Sequence, residues 1–356
     1  MRQAITEIPN LTVGLDLGDQ SSEVCGLNAC GEVEVRKTVQ TTKTGLQKMF
    51  DEMKPCLVAI EVGTHSPWVK RLLESLGHEV VVANPRQVRL IHSNPAKSDR
   101  MDAELLARLA RFDHKLLSPV THRSAQCQQH LTVLRSRDAL VRCRTLLINS
   151  ARGTAKAFGL KLPTCSSAAF HRKARAHVVG ELEMSLGALL DSIEALTNQI
   201  QVLERTIHQV ASKHYPQVEL VTQPTGVGVL TGLRFVLTVE NPGRFHKNRS
   251  VGPYLGMTPR RDQSGRSDPQ LHITKAGDAD MRSSLVNAAH YILGPFGPDC
   301  DLRRFGEKLA QRGGSNAKKR AVVAVARRLA VLMLCLWKTG QVYDPLLHAR
   351  ASEVPA

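Results

Sequence analysis

The chain has 356 residues, enough for two or three domains, and a formal net charge of +16. Its eight cysteines form no Cys-x-x-Cys pair, which argues against a zinc ribbon or a disulfide framework and favours a reducing, cytoplasmic location. We expect no signal peptide, and the longest apolar stretch, residues 321–337, is interrupted by two arginines and too short for a membrane span.

The positive charge is unevenly distributed. Residues 1–120 hold 15 Lys/Arg and 15 Asp/Glu, residues 121–180 hold 11 Lys/Arg against Asp138 alone, and residues 216–356 hold 20 against 11. A neutral block followed by basic blocks predicts chemistry in the first part and binding of a polyanion by the others. We therefore favour a nucleic-acid partner over a merely soluble basic protein.

Strand and helix patterns alternate over residues 1–118, which predicts an α/β domain with a mixed sheet. Two of the strands flank a turn at residues 28–31 and indicate a hairpin. The predicted strands are residues 12–17, 23–27, 33–39, 57–62 and 79–83. The predicted helices are residues 42–53, 66–76 and 98–112, the last with Ser98 as its N-cap.

Four acidic residues of this region are candidate metal ligands. Asp16 interrupts the apolar first strand and Glu61 lies near the end of a later one, where a charge is costly unless it is paired or bound to a cation. Asp99 and Asp102 are three residues apart, so a helix places them on one face near its N-terminus. Oxygen ligands from two strands and a helix suit Mg²⁺ or Mn²⁺, and two such ions support phosphoryl transfer.

Each of these acids also has an ordinary structural interpretation. Asp16 suits a turn, Glu61 a helix cap, and Asp99 the first turn of a helix, where a negative charge favours the dipole. For any one residue taken alone, the structural interpretation is favoured. The combination favours a metal site, because two apolar strands each carry an acid toward the same end.

Residues 119–215 are predicted to be helical. The first helix, residues 130–158, has arginines on its polar sides, which we interpret as a phosphate-binding surface. The second repeats apolar residues four and three apart from Leu182 to Val210, a coiled-coil pattern. The two helices can pair with each other or with another subunit, and the pattern does not decide between these. The candidate phosphate-binding residues are Arg135, Arg137, Arg142 and Arg144.

Residues 216–345 form the last predicted domain, followed by a tail at 346–356. The Gly226-Val227-Gly228 turn exposes backbone amides that can hold a phosphate. Ser264 lies beside a glycine in a loop crowded with arginines; it suits an ordinary turn, but these cations also suit a hydroxyl that attacks a phosphodiester. The basic candidates for nucleic-acid contact are Arg260, Arg261, Arg266, Lys275, Arg282, Lys318, Lys319 and Arg320.

Taken in order, these segments resemble the transposases, or recombinases, of insertion-sequence family 110, the DEDD transposases. The similarity covers nearly the whole chain, and the combination is specific although no single fragment is. In the first part it is carried by Gly14-Leu15-Asp16, Ile60-Glu61 and residues 97–103. In the last part it is carried by residues 224–228, 244–245, 254–259, 263–265, 273–277 and 281–282.

The resemblance implies a RuvC-like (ribonuclease H-like) domain over residues 1–118, a coiled-coil middle and a mostly helical C-terminal transposase domain. It implies a recombinase that excises and inserts its own mobile element, with Asp16, Glu61, Asp99 and Asp102 binding Mg²⁺ and Ser264 as the nucleophile. It also implies a bridge RNA that pairs with target and donor DNA. Members assemble as dimers and tetramers, in which the metal domain of one subunit completes the serine site of another.

Two other functions fit the residues. A metal-dependent endonuclease of the Holliday-junction type would use the acidic residues with water as the nucleophile and would form no serine–DNA link. A non-catalytic nucleic-acid-binding protein would show no cleavage.

Overall fold

The computed structural model describes residues 11–84, 98–265, 267–269 and 271–347. The chain divides into two compact units, Met1–His122 and Arg123–Ala356. Each unit has its own apolar core. All eight cysteines are free thiols.

The first unit is built on a five-stranded mixed sheet. Its strands are β1 (Leu11–Leu17), β2 (Ser21–Asn28), β3 (Val33–Gln40), β4 (Leu57–Glu61) and β5 (Glu79–Ala83). In space they are ordered β3-β2-β1-β4-β5; β1 and β2 pair antiparallel, as do β2 and β3, whereas β4 runs parallel to both β1 and β5. The prediction of an α/β domain with a mixed sheet is confirmed.

Helices cover both faces of this sheet. On one face, α1 (Lys43–Asp51) and α2 (Ser66–Ser75) bury Phe50 and Leu73 against Leu15 and Ile60. On the other face lies α3 (Asp99–Asp113). A Cβ at Gly14 would lie 1.9 Å from the carbonyl oxygen of Ala103, so only glycine allows α3 to approach β1 this closely. The predicted cap of this helix is confirmed, because Ser98 Oγ accepts a hydrogen bond from the Met101 amide.

The second unit is helical. Two long helices, α4 (Ala125–Ala157) and α6 (Leu182–His214), pack along each other, and the short α5 (Phe170–Arg175) closes their far end. Helix α4 begins five residues earlier than predicted, because Ser124 Oγ caps it by accepting from the Cys127 amide. Of the two pairings that the sequence left open, the structure shows the one within a single chain.

The buried stripe of α6 differs from the predicted heptad pattern in one of its two rows. Leu186, Ile193, Ile200 and Ile207 are buried as predicted. The second predicted row, Leu189, Leu196, Leu203 and Val210, is only partly buried. At three positions the residue that follows is buried instead: Leu190, Thr197 and Ala211. At the fourth, Glu204 is partly buried, as Leu203 is, and pairs with Arg137 of α4.

The remaining helices share one core with the base of the α4–α6 hairpin. In that core Leu134 and Ile207 of the hairpin lie with Phe235, Leu329 and Met333. The helices are α7 (Val218–Val221), α8 (Val229–Val239), α9 (Val251–Tyr254), α10 (Ala279–Leu293), α11 (Asp301–Ala310) and α12 (Ala317–Thr339). Helix α12 contains the apolar stretch at residues 321–337, and most of its apolar side chains are buried in this core. None of the helices in the described ranges has the length and apolarity needed to cross a membrane.

Candidate active site

Asp16 and Glu61 occupy neighbouring positions at one end of the sheet. The parallel register of β1 and β4 aligns Leu15 with Ile60, so the two acidic residues come at the next position of each strand. Because side chains alternate along a strand, both fall on the face that carries Gly14. That face is the one covered by α3.

Helix α3 begins at this same end of the sheet. Arg111, in its last turn, donates to the carbonyl oxygen of Asn28 at 3.3 Å, at the far end of β2. Arg100, in its first turn, forms an ion pair of 3.6 Å with Glu23, which is paired with Asp16 across the sheet. The N-terminus of α3 therefore lies at the end of the sheet that carries the two strand acids.

The first turn of α3 adds the other two candidate ligands. Asp99 is exposed, whereas Asp102 is buried with 7% of its surface accessible. All four acids thus share one end of one face. In the described parts of the chain, however, no three His, Cys, Asp or Glu side chains are grouped closely enough to hold a metal ion. The oxygen-only donor set and its buried carboxylate fit a hard divalent cation.

A histidine that the sequence analysis missed lies at the same end of the sheet. His65 Nε2 is 3.3 Å from a carboxylate oxygen of Asp19, and His65 Nδ1 accepts from the indole N–H of Trp68 at 3.1 Å. Because Nδ1 accepts, the neutral ring carries its proton on Nε2, facing Asp19. The only sequence signal was the position of His65 four residues after Glu61.

In the second unit, Ser264 lies in a tight turn of an exposed loop. The amide of Ser264 donates to the carbonyl oxygen of Ser267 at 3.1 Å, and the amide of Ser267 donates back at 2.9 Å. Gly265 between them has φ 55°, a conformation that favours glycine. Ser264 is exposed in this turn, so its hydroxyl is accessible to a large substrate.

The two ends of this loop cross at a narrow point that we call the neck, formed by Gly256 and residues 275–277. The Lys275 amide donates to the carbonyl oxygen of Gly256 at 3.0 Å, and a Cβ at Gly256 would lie 2.0 Å from the carbonyl oxygen of Ala276. Gly256, Lys275 and Gly277 all have positive φ, at 66°, 55° and 75°. The neck is therefore a close crossing of two backbones.

Arg282, on α10, forms hydrogen bonds to both sides of the neck. Its Nη1 donates to the carbonyl oxygens of Leu255, Ala276 and Gly277 at 3.2, 2.7 and 3.1 Å. The sequence predicts a nucleic-acid contact at Arg282, whereas in the structure this nitrogen is engaged with the protein's own backbone.

The four arginines predicted on α4 separate into two pairs. Arg137 pairs with Glu204 at 2.6 Å, and Arg144 donates to Thr197 at 3.4 Å, so both face α6. Burial and the neighbouring Arg137 lower the pKa of Arg144. Arg135 and Arg142 lie one seven-residue repeat apart on the exposed side.

The glycine turn predicted to hold a phosphate lines a cavity of about 920 Å³ within the second unit. Gly226 has φ 89°, and Gly228 precedes the first turn of α8 without a side-chain cap. Arg142 and Tyr291 line the same cavity. The wall also contains an ion pair between Arg234 and Asp138, so the lining is of mixed charge.

The other predicted contacts are distributed over the second unit. Arg260 is exposed, and Arg261 pairs loosely with Asp268 at 3.4 Å. Arg266 lies outside the described residues. Lys318, Lys319 and Arg320 are exposed at the start of α12.

The first unit thus carries four acids at one end of its sheet, and the second unit is basic and helical and exposes Ser264 in a loop. Comparisons with known proteins identify the class as transposases. Residues 13–158 match the DEDD transposase model of the IS110 group, described as "Transposase", and residues 218–298 match the model described as "Transposase IS116/IS110/IS902 family". The chain belongs to this IS116/IS110/IS902 family of transposases, which confirms the resemblance read from its motifs.

Relatives share this similarity over most of the chain. A "probable family 20 transposase" of Pseudomonas aeruginosa is 28% identical over 342 residues, which cover 94% of this chain and 98% of the relative. The transposase for insertion sequence element IS1111A of Coxiella burnetii is 25% identical, covering 93% and 90%. A pilin gene-inverting protein of Moraxella lacunata is 27% identical over 159 residues, covering 44% and 47%. The DEDD transposase family generally depends on divalent metal ions.

Proposed function

We propose that this protein is the RNA-guided recombinase of a mobile insertion sequence, which cleaves and exchanges DNA strands through Ser264. The observation that carries the proposal is the arrangement of the second unit: an exposed serine stands in a loop whose two ends are fixed at the neck by Arg282. A nucleophile held on a constrained loop meets the need for accurate positioning against a phosphodiester.

The covalent step would conserve the energy of the phosphodiester. Ser264 Oγ forms a bond to phosphorus and loses its proton to solvent or a nearby base. The strand's P–O bond breaks, and the released DNA hydroxyl keeps the electron pair and takes a proton. Attack by another strand's hydroxyl reverses the step and frees the serine. Arg260 and Arg261 in the same loop would balance the charge on the phosphate.

The acidic residues would serve the same reaction from the first unit, which we propose to be a RuvC-like (ribonuclease H-like) domain. Support comes from the strand order and from the common end of the sheet shared by Asp16, Glu61, Asp99 and Asp102. These four residues would bind Mg²⁺ or Mn²⁺. The bound ion would supply electrostatic stabilisation of the attacked phosphate and of the leaving oxygen.

The proposed partners are target and donor DNA, a bridge RNA and further copies of the chain. The excess of positive charge and the 4% aromatic content favour backbone contacts over base stacking, as suits a protein that leaves sequence reading to a guide. We propose that residues 1–118, 119–215 and 216–345 act as metal domain, helical spacer and serine domain. Dimers or tetramers would allow the metal and serine domains of different copies to form one site.

The test compares two serines of the same turn. Ser264→Ala should abolish recombination and leave DNA and RNA binding intact, whereas Ser267→Ala should retain recombination. Wild-type protein should form a DNA adduct that survives denaturation, with the phosphate mapped to Ser264 by mass spectrometry of the linked peptide. Strand exchange by Ser264→Ala would reject the nucleophile.

The alternative is a metal-dependent endonuclease that cuts Holliday-type junctions with water. It draws on the fact that all four acids belong to the first unit, whereas Ser264 belongs to the second. This alternative predicts cleavage by Ser264→Ala and no covalent adduct, so the same experiment decides between the two mechanisms.

A further inference from the structure

Between α8 and α9 the chain carries a short basic segment. Arg244, His246, Lys247 and Arg249 occur within six positions, and all four are exposed. None of them forms an ion pair with an acidic residue in the described ranges. Arg244, Lys247 and Arg249 carry positive charge, and cations placed this closely repel one another unless a polyanion lies against them. We call these residues the 244–249 segment.

The backbone of the 244–249 segment is fixed. Asn241 Oδ1 accepts from the Gly243 amide at 2.8 Å at its start, and two 3₁₀ turns, Pro242–Arg244 and Asn248–Ser250, follow. Phe245 is buried within the segment, and the Lys338 ammonium donates to its carbonyl oxygen. The cations therefore project from an ordered backbone, and little chain entropy is lost when they bind a ligand.

One residue joins this segment to the neck of the serine loop. The ring of Tyr254 lies 4.8 Å from the guanidinium carbon of Arg244 and 5.3 Å from the ring centre of Phe245. The carbonyl oxygen of Tyr254 lies so close to Gly277 that a Cβ there would be 2.3 Å away. The segment and the neck are thus held together through Tyr254.

We propose that the 244–249 segment binds the phosphate backbone of the DNA strand that Ser264 attacks, beside the cleaved phosphodiester. That Ser264 cleaves this strand rests on the proposed function. Binding of DNA by the 244–249 segment does not depend on it. The segment is a fixed, unpaired cationic surface attached to the serine loop, which favours the cleaved DNA over the guide RNA as its ligand. Through this segment the protein contacts DNA beside the serine loop, independently of base pairing between the DNA and the guide RNA.

The experiment measures DNA binding in a Ser264→Ala background, so that no cleavage is needed for the readout. The probe is a short DNA duplex centred on the element's own cleavage site, without RNA. Lys247→Glu with Arg249→Glu should weaken binding about tenfold or more at physiological salt, and should make the log–log salt dependence shallower by about two. The matched control is Arg172→Glu with Lys173→Glu on α5, an equal charge change on exposed residues, which should change affinity less than twofold.

A second measurement locates the contact. A photo-crosslinking amino acid at His246 should cross-link to DNA within a few nucleotides of the cleavage site. Unchanged affinity and salt slope in the segment variant would overturn the proposal, as would an equal loss in both double variants. A loss confined to bridge RNA binding would assign the segment to RNA instead. If wild-type protein forms no serine adduct, the proposed function fails while these binding results stand.

Discussion

The guanidinium of Arg282 and the carbonyl oxygen of Ala276 are joined by a hydrogen bond of 2.7 Å at the neck of the loop that carries Ser264. The same nitrogen also reaches Leu255, on the other side of the neck. Arg282 therefore ties both ends of the loop to α10. This relationship assigns it a positioning role.

The first prediction separates positioning from phosphate contact at Arg282. Arg282→Lys keeps the charge, but the lysine side chain is one bond shorter, so its ammonium does not reach the position from which Nη1 contacts the three carbonyl oxygens. We expect this variant to bind DNA normally and to cleave at least about tenfold more slowly, since misplacement by about 1 Å can cost a hundredfold. Guanidinium ion added to Arg282→Ala should restore part of the cleavage rate, and sodium ion at equal ionic strength should not. Full activity of the lysine variant would assign Arg282 to the phosphate instead.

The second prediction concerns Lys275, which has φ 55° in the neck. A left-handed conformation costs a residue other than glycine about 1–2 kcal/mol, and asparagine adopts it more readily than lysine. Lys275→Asn should therefore raise the free energy of unfolding by up to about 1 kcal/mol, measured by chemical denaturation. If the Lys275 side chain contacts DNA, the same variant should bind DNA more weakly. Weaker binding together with lower stability would mean that the substitution merely damages the neck.

Much of the first unit could be predicted because its signals are local. Ser98 is a recognisable cap, and the alternation of strands and helices fixes the layer pattern. The common end of Asp16 and Glu61 follows from parallel pairing, which aligns the carboxyl ends of neighbouring strands. Whether these acids bind metal stays a prediction, since no local pattern specifies the distances between their side chains.

The hairpin shows why other features could not be predicted. Leu196 and Leu203 make the stronger apolar pattern, yet Thr197 and Glu204 occupy the interface with α4. The partner helix decides this, because its Arg144 and Arg137 need acceptors there. These pairs join residues more than fifty positions apart. The apolar repeat of α6 alone does not show which residues of α4 will face it. The contacts of Arg282 could not be predicted either, because they require Leu255, 27 positions earlier, to pack beside residues 276–277.

The third prediction follows from this division of the arginines. Arg137→Glu would face Glu204 and Asp138 and should destabilise the second unit by about 1–3 kcal/mol, seen as a lower unfolding midpoint. Arg142→Glu should leave that midpoint unchanged and weaken nucleic-acid binding, with a shallower salt dependence. Lys156→Glu, an exposed charge reversal at the end of the same helix, is the matched control. Equal binding by the Arg142 and Lys156 variants would remove Arg142 from the interface.

The fourth prediction tests the acids at the end of the sheet. Asp102 is buried in the first turn of α3, so Asp102→Asn keeps the side-chain shape while removing the charge that a divalent cation requires. We expect cleavage to fall by at least about a hundredfold, with little change in DNA binding. Chelation of divalent metal should stop wild-type cleavage without unfolding the protein.

The matched control is Asp51→Asn, at an exposed acid at the end of α1, which should keep full activity. Titration with Mn²⁺, followed by its paramagnetic signal, should show weaker binding to the Asp102 variant than to the Asp51 variant. Equal Mn²⁺ affinity and equal cleavage in the two variants would show that Asp102 is a structural residue of α3.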